Sequence, residues 1–186
     1  VSTGVKPRVH YLEGCDIQVD QGIVVDDHMQ TSQPDVYAAG DCAQGLDFST
    51  GETAVHAVQP TATEHGRVAA ANMAGGNNLP YKGSLNMNIL DTLGLITCSF
   101  GAWEGVVGGD CAEKYNPDNH QYVNLQFKGD VLVGANSVGY HEHLGVLRGL
   151  IETQMPLGEW KDRLKENPVG LVDAYQGVNQ AALQNG

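Results

Sequence analysis

The stretch Thr31–Ala43 constrains this chain more than any other, because it sets a turn, a short apolar run and a Gly-Asp pair in immediate succession. Thr31 and Ser32 with Pro34-Asp35 spell a turn, Val36 to Ala39 predicts a short strand, and Gly40-Asp41 sets a carboxylate where that strand stops. In open α/β sheets ligands gather at the carboxyl ends of strands, so an acid placed there is positioned to meet one. The glycine lets backbone approach closely. Taken alone, Asp41 reads as an acid capping a turn after a strand; the full succession makes it a candidate site residue.

Downstream, Val58 to Gly75 predicts a helix with Pro60 at its first position and Gly75 just past its end. The unpaired N–H groups and positive dipole end at such a start form an electrophilic site. Pro60, Thr61 and Ala62 therefore join Gly40 and Asp41 as candidates, with Thr61 and Ala62 as the backbone donors. The alanine-rich face permits close packing against a ring or a sheet, so a tightly packed core helix and a cofactor-facing helix are both compatible with it.

The succession Thr31–Ala43 resembles the second flavin motif of the FAD-dependent pyridine nucleotide-disulfide oxidoreductases. Ser2-Thr3-Gly4-Val5-Lys6-Pro7 resembles that family's segment returning from the NAD domain to the FAD domain, and Gly22-Ile23-Val24-Val25-Asp26 the strand that follows. All three stand in the family's order, and the resemblance, specific through Gly75, is strongest to the NADH oxidase, rubredoxin reductase and nitrite reductase-like flavoproteins. It implies FAD as cofactor and NAD(P)H as electron source, with an unidentified electron acceptor. A carboxylate would repel a diphosphate, so Asp41 is expected to accept a hydrogen bond from a flavin ribityl hydroxyl. The Pro60 helix is expected to face the N1 and C2 carbonyl edge of the isoalloxazine.

No Gly-x-Gly-x-x-Gly follows a strand, and the cluster Gly101 to Gly109 lacks that spacing. The family's two such fingerprints lie before the region matched here. With a first residue of Val1, the expectation is a carboxyl-terminal fragment whose partners are the missing N-terminal FAD and NAD domains of the same chain, inactive and free of FAD by itself. The family's thiol-reductase branch also carries a His-x-x-x-x-Glu arrangement that His120, His141 and His143 do not reproduce, which favours oxidase or electron-transferase relatives. Cys15, Cys42, Cys98 and Cys111 are widely spaced and form no Cys-x-x-Cys. Cys42 follows Asp41 but reads as a small buried residue rather than a redox centre. His141-Glu142-His143 would put its histidines on different sides of a helix, and Asp26-Asp27-His28 reads as a polar strand-to-turn cluster. No catalytic residue and no metal site are therefore assigned.

With 22 acidic against 10 basic side chains and a formal charge of −12, nucleic-acid binding is not expected, since neutralising phosphates requires clustered Lys and Arg. No apolar run is long enough to span a membrane, and no basic-then-apolar leader stands at the start, so a cytoplasmic location is expected.

Asn77-Asn78-Leu79-Pro80 is rich in turn formers, which divides the chain into 1–78, the end of an FAD-binding α/β domain, and 79–186. In the second part Met87–Leu90 and Leu95–Phe100 are short apolar segments. Gln121–Phe127 alternates, with Val123, Leu125 and Phe127 on one face, and Gly129-Asp130 turns it into Val131–Ala135. The period then becomes helical: Leu144, Leu147, Leu150 and Ile151 mark a helix from about Glu142 to Thr153. Pro156 and Pro168 are expected to begin two more. An antiparallel sheet followed by helices is an α+β unit, in accord with the family's interface domain. Trp103, Trp160 and Tyr175 belong either to a homodimer interface or to the core. The alternative to a flavoprotein piece is a non-catalytic dimerisation or protein-interaction module.

Overall fold

The computed structural model describes residues 4–75 and 79–184, so Ser2-Thr3 and the Asn77-Asn78 turn lie outside the described residues. Two compact units, Val1–Leu85 and Asn86–Gly186, make up the chain. Among the described residues no helix is long and apolar enough to cross a membrane.

In the first unit, the predicted strand Val36–Ala39 does not form. Those residues fold back on the segment before them: Thr31 N–H donates to Val36 O (2.8 Å) and Ala38 N–H to Met29 O (3.1 Å), around an isolated bridge between Gln30 and Tyr37. Their backbone groups are spent on this turn, in which Asp35 takes a positive φ of 63°. The strand of the motif lies after the Gly-Asp pair instead. β2 (Ala43–Leu46) runs parallel to β1 (Ile23–Val24), with Ile23 opposite Ala43, and antiparallel to β3 (Thr53–Ala54).

Gln44, on β2, is buried with its amide fully used. Its Oε1 accepts the N–H groups of Gln21 (3.0 Å) and Gly22 (3.1 Å), and its Nε2 donates to Asp20 Oδ2 and Thr53 Oγ1, both at 3.1 Å. A core of Ile23, Val25, Met29, Ala38, Ala43, Val68, Ala69 and Tyr81 packs beside it.

Helix α1 (Gln59–Met73) begins one residue before Pro60, with Val58 extended at its N-cap, and Gly75 stands beyond its end at φ 77°. Thr61, His65, Val68 and Ala69 form its buried stripe. Asn72 closes the unit: its Nδ2 donates to His28 O and Leu79 O, each at 3.0 Å, and its Oδ1 accepts Leu79 N–H at 3.1 Å. Ser84 N–H donates to Leu46 O (2.9 Å), and Tyr81 and Ser84 are buried. These bonds attach Leu79–Leu85 to the first unit, whereas the turn-rich composition predicted a break near residue 78.

The second unit is built on a five-stranded antiparallel sheet in the order β4-β5-β8-β7-β6. Its strands are β4 (Met87–Thr92), β5 (Leu95–Gly101), β6 (Asp110–Asn116), β7 (Gln121–Lys128) and β8 (Val131–Val138). The alternation read from the sequence has the expected effect: Val123, Leu125 and Phe127 are all buried, and Gly129 turns the hairpin at φ 59°. β6 was not predicted, because on this edge strand only Ala112 is buried.

Helices α2 (Leu144–Thr153), α3 (Glu159–Glu166) and α4 (Leu171–Gln184) follow. Each starts later than the sequence predicts. His143 takes a left-handed conformation before α2. Before α3, Leu157 and Gly158 N–H donate to Asp130 O (2.9 Å) and Asp130 Oδ2 (2.8 Å), which fixes the segment after Pro156 on the hairpin turn. A turn from Asn167 to Gly170, closed by a 3.0 Å bond, separates Pro168 from α4. Trp160 lies against Gly177, and the Arg163 guanidinium stands 4.2 Å from the indole centroid, so this tryptophan packs within its own unit.

Two substitutions test this packing by urea unfolding. Leu125→Ala removes a fully buried side chain and is expected to cost about 2–5 kcal/mol. Gly134→Ala drives a methyl into the Ala102–Trp103 backbone and is expected to cost about 1–3 kcal/mol.

Candidate functional site

Ala39 is extended, and the chain then turns through a short 3-10 segment, Gly40–Cys42. Gly40 has a φ of 78°, a conformation that side chains disfavour, and a Cβ there would sit 3.6 Å from Ala62 Cβ. The turn therefore lies against the first turn of α1. A hydrogen bond fastens it: Gly40 N–H donates to His65 Nδ1 at 3.3 Å. Asp41 is exposed, and its carboxylate has no hydrogen-bond partner among the described residues. Cys42 Sγ reaches back to Ala39 O at 3.5 Å, closing the turn on itself.

The structure thus brings together Gly40, Asp41, Pro60, Thr61 and Ala62, which are far apart in sequence. The donor assignment changes in one respect. Ala62 N–H donates to Val58 O at 3.1 Å as the first intrahelical bond, so it is not a free donor; Ala62 contributes its methyl contact with Gly40. Pro60 has no N–H, which leaves Gln59 and Thr61 with the unpaired amides of the first turn. No side chain caps this helix, so its positive end is not neutralised locally.

Sequence reading passed over a buried polar group beside this turn. His65 is 1% exposed and meets Tyr81 edge-to-face, with ring centroids 4.7 Å apart. The Tyr81 hydroxyl is hydrogen-bonded to Ser84 Oγ. His56 Nε2 lies 3.1 Å from Asp47 Oδ2, both residues buried. Burial alone would raise the Asp47 carboxyl, but the His56 contact and the N–H groups of Ser49 and Thr50 outweigh it and hold it below the ordinary range. The signal for His65 was available: it falls on the stripe of α1 that carries Thr61, Val68 and Ala69. Asp47 and His56 stand at no diagnostic spacing.

The other sequence candidates separate. His141, Glu142 and His143 are all exposed. Asp26, Asp27 and His28 do converge, with ligand atoms within 4.8 Å of one another, but in a turn whose bonds are local. Asp26 Oδ1 accepts the N–H groups of His28 (2.8 Å) and Gln30 (2.9 Å), and His28 Nδ1 meets Asp27 Oδ1 at 2.6 Å.

The Gly40–Cys42 turn thus lies against the uncapped start of α1, and an antiparallel α+β unit follows in sequence. The chain matches the sequence profile of the pyridine nucleotide-disulphide oxidoreductases over residues 1–61. It is 34% identical over 173 residues to the epsilon subunit of NADH-dependent phenylglyoxylate dehydrogenase from Aromatoleum evansii, covering 92% of this chain and 41% of that subunit. NADH:rubredoxin oxidoreductase from Clostridium acetobutylicum aligns with a TM-score of 0.64 at 25% identity, covering 84% of this chain and 39% of its own. Putidaredoxin reductase, in its covalent complex with putidaredoxin, shares the fold with a TM-score of 0.78 at 22% identity, covering 95% of this chain and 41% of its own. The chain spans about two-fifths of the length of these proteins.

The Asp47–His56 pair predicts how the fold responds to acid. The native carboxyl is held below its usual 3.8, so its contribution is complete above about pH 4 and is lost as pH falls through the native value. Asp47→Asn is expected to lower stability at neutral pH and to flatten the acid limb of a urea-midpoint against pH curve. An acid limb as steep as in the parent chain would contradict the role of this pair.

Proposed function

We propose that this chain is the flavin-proximal part of a longer FAD-dependent NAD(P)H oxidoreductase. The observation that supports this reading best is the seating of the Gly40–Cys42 turn on the start of α1. The residues present suit a flavin. Gly40 gives close backbone approach, the Asp41 carboxylate is an unengaged acceptor for a ribityl hydroxyl, and the Gln59 and Thr61 amides offer donors backed by the helix dipole to an electron-rich ring edge. FAD, when bound, supplies the two-electron chemistry that takes hydride from NAD(P)H and hands electrons to an acceptor.

What this chain itself does is bind and orient. Cys42, closed on Ala39 O, is not given a redox task. The ADP and nicotinamide sites belong to the N-terminal FAD and NAD domains of the longer protein. The isolated chain, retaining part of the flavin contacts, is therefore inactive and binds FAD weaker by orders of magnitude, at about 1 kcal/mol per lost hydrogen bond. An electron-acceptor protein is the natural partner; one relative is named for rubredoxin, and one neighbour was solved joined to putidaredoxin.

A second reading draws on one specific feature. β4 is an edge strand, and Ile89, Leu90, Leu93 and Leu95 around its turn are exposed, which favours a homodimer or protein-interaction role for the second unit. A monomer in sedimentation at micromolar concentration would remove this reading.

The main reading is tested on the full-length protein, which is expected to carry a flavin absorbance band bleached by NADH or NADPH, while the 186-residue chain is colourless. Asp41→Ala is expected to weaken FAD binding by about 10- to 100-fold, the worth of a hydrogen bond to a charged group. A full-length protein that neither binds FAD nor oxidises NAD(P)H would overturn the proposal.

A further inference from the structure

His65 is the buried polar residue that the cofactor contacts leave without a task. Its environment is that of a core side chain, yet its Nε2 is buried with no hydrogen-bond partner. An apolar residue would fill the space without leaving a polar atom unpaired. The nitrogen that is engaged, Nδ1, faces an amide donor, Gly40 N–H at 3.3 Å, and must therefore present a lone pair. That fixes the imidazole as the neutral tautomer with its proton on Nε2. Tyr81 meets the ring edge-to-face, and Gly45 approaches so closely that a Cβ there would stand 3.4 Å from Nε2, so the ring is confined from two sides.

We propose that His65 is a positioning residue for the flavin: as a neutral imidazole it accepts the Gly40 N–H and holds the Gly40–Cys42 turn, with Asp41, against the first turn of α1. The inference rests on the reading of that turn as a flavin contact. Protonation converts Nδ1 from acceptor to donor, sets it against the Gly40 N–H and releases the turn. The groups facing His65 favour the neutral form on balance. Burial pushes the imidazole below the usual histidine range and nearby His56 adds to this, while Glu64 on the same helix opposes it. Tyr81, from the segment after α1, is itself held in the neutral phenol form by burial. Flavin affinity is therefore constant on the alkaline side and falls only at acidic pH, below the ordinary histidine range, where His65 of the folded protein takes up a proton.

The test uses FAD binding to the full-length protein across pH, with two variants. His65→Asn keeps an acceptor oxygen at the Nδ1 position but cannot titrate; His65→Leu removes the acceptor. The parent protein is expected to lose affinity at low pH, by at most about tenfold per pH unit from this group. The Asn variant should bind within about threefold of the parent at neutral pH and lack the acidic decline. The Leu variant should bind about five- to tenfold more weakly, the loss of one hydrogen bond, without that decline. In the ligand-free 186-residue chain, the Gly40 amide resonance should titrate with His65 and should stop doing so in the Asn variant. An Asn variant that keeps the parent's pH profile, or a Gly40 amide indifferent to His65, overturns the proposal. If FAD does not bind at all, the flavin reading fails, and the amide titration still decides whether His65 positions the turn. If the Leu variant does not fold, the Asn variant decides the matter.

Discussion

The first unit hangs on a parallel pairing of only two residues, Ile23–Val24 against Ala43–Gln44. A ladder this short gains little from its own backbone bonds. The Gln44 side chain extends it, taking two amide hydrogens from the preceding segment and giving two hydrogens to Asp20 and Thr53. Left unpaired in this buried place, that amide would cost several hydrogen bonds' worth of desolvation. Because the pairing fixes Ala43, it also fixes where the preceding Gly40–Cys42 turn must sit. The turn, its carboxylate and the helix start opposite it all follow from that register.

Elements were legible where one signal governed the outcome. Val123, Leu125 and Phe127 alternate because one face of β7 is buried, and the structure buries that face. Gly75 ends α1 as a glycine in the left-handed region should. Reading failed where tertiary bonds outbid local preference. Val36–Ala39 is apolar enough for a strand, but its hydrogen bonds go to Met29 and Thr31, partners that no local pattern announces. β6 lies on an edge and buries only Ala112, so its sequence of charged and polar residues carries no period. Pro156 and Pro168 stop the chain from being helical rather than start it, because Asp130 in one case and Asn167 in the other capture the amides that follow.

The candidate site divides the same way. Gly40 and Pro60 mark backbone events legible in the sequence, a positive φ and a helix start, whereas Asp41 was placed by a strand that does not form and Ala62 is not the free donor expected. The juxtaposition of these residues was not legible, since it depends on the β1–β2 register. His65, which joins the two pieces, shows its burial by its place on the stripe of α1, but nothing in the sequence announces its bond to Gly40. The Asp47–His56 pair was hidden by distance in sequence and by the absence of any motif spacing.

The start of α1 lacks the side-chain cap that would stabilise it. Val58 occupies the N-cap and supplies no acceptor, where Ser, Thr, Asp or Asn would stabilise by about 1 kcal/mol. The nearest hydroxyl in the helix, Thr61, comes three positions too late to serve as that cap. A capping side chain would occupy the same amides that an electron-rich ligand would use, so capping and binding exclude each other at this end. Asp41 follows the same logic: an acid already engaged by a neighbouring donor would have no lone pair to offer a ligand hydroxyl. Both the open helix end and the unengaged carboxylate forgo stability in the free chain, and the Gly40 bond to His65 helps fasten the turn that carries the one to the helix that carries the other.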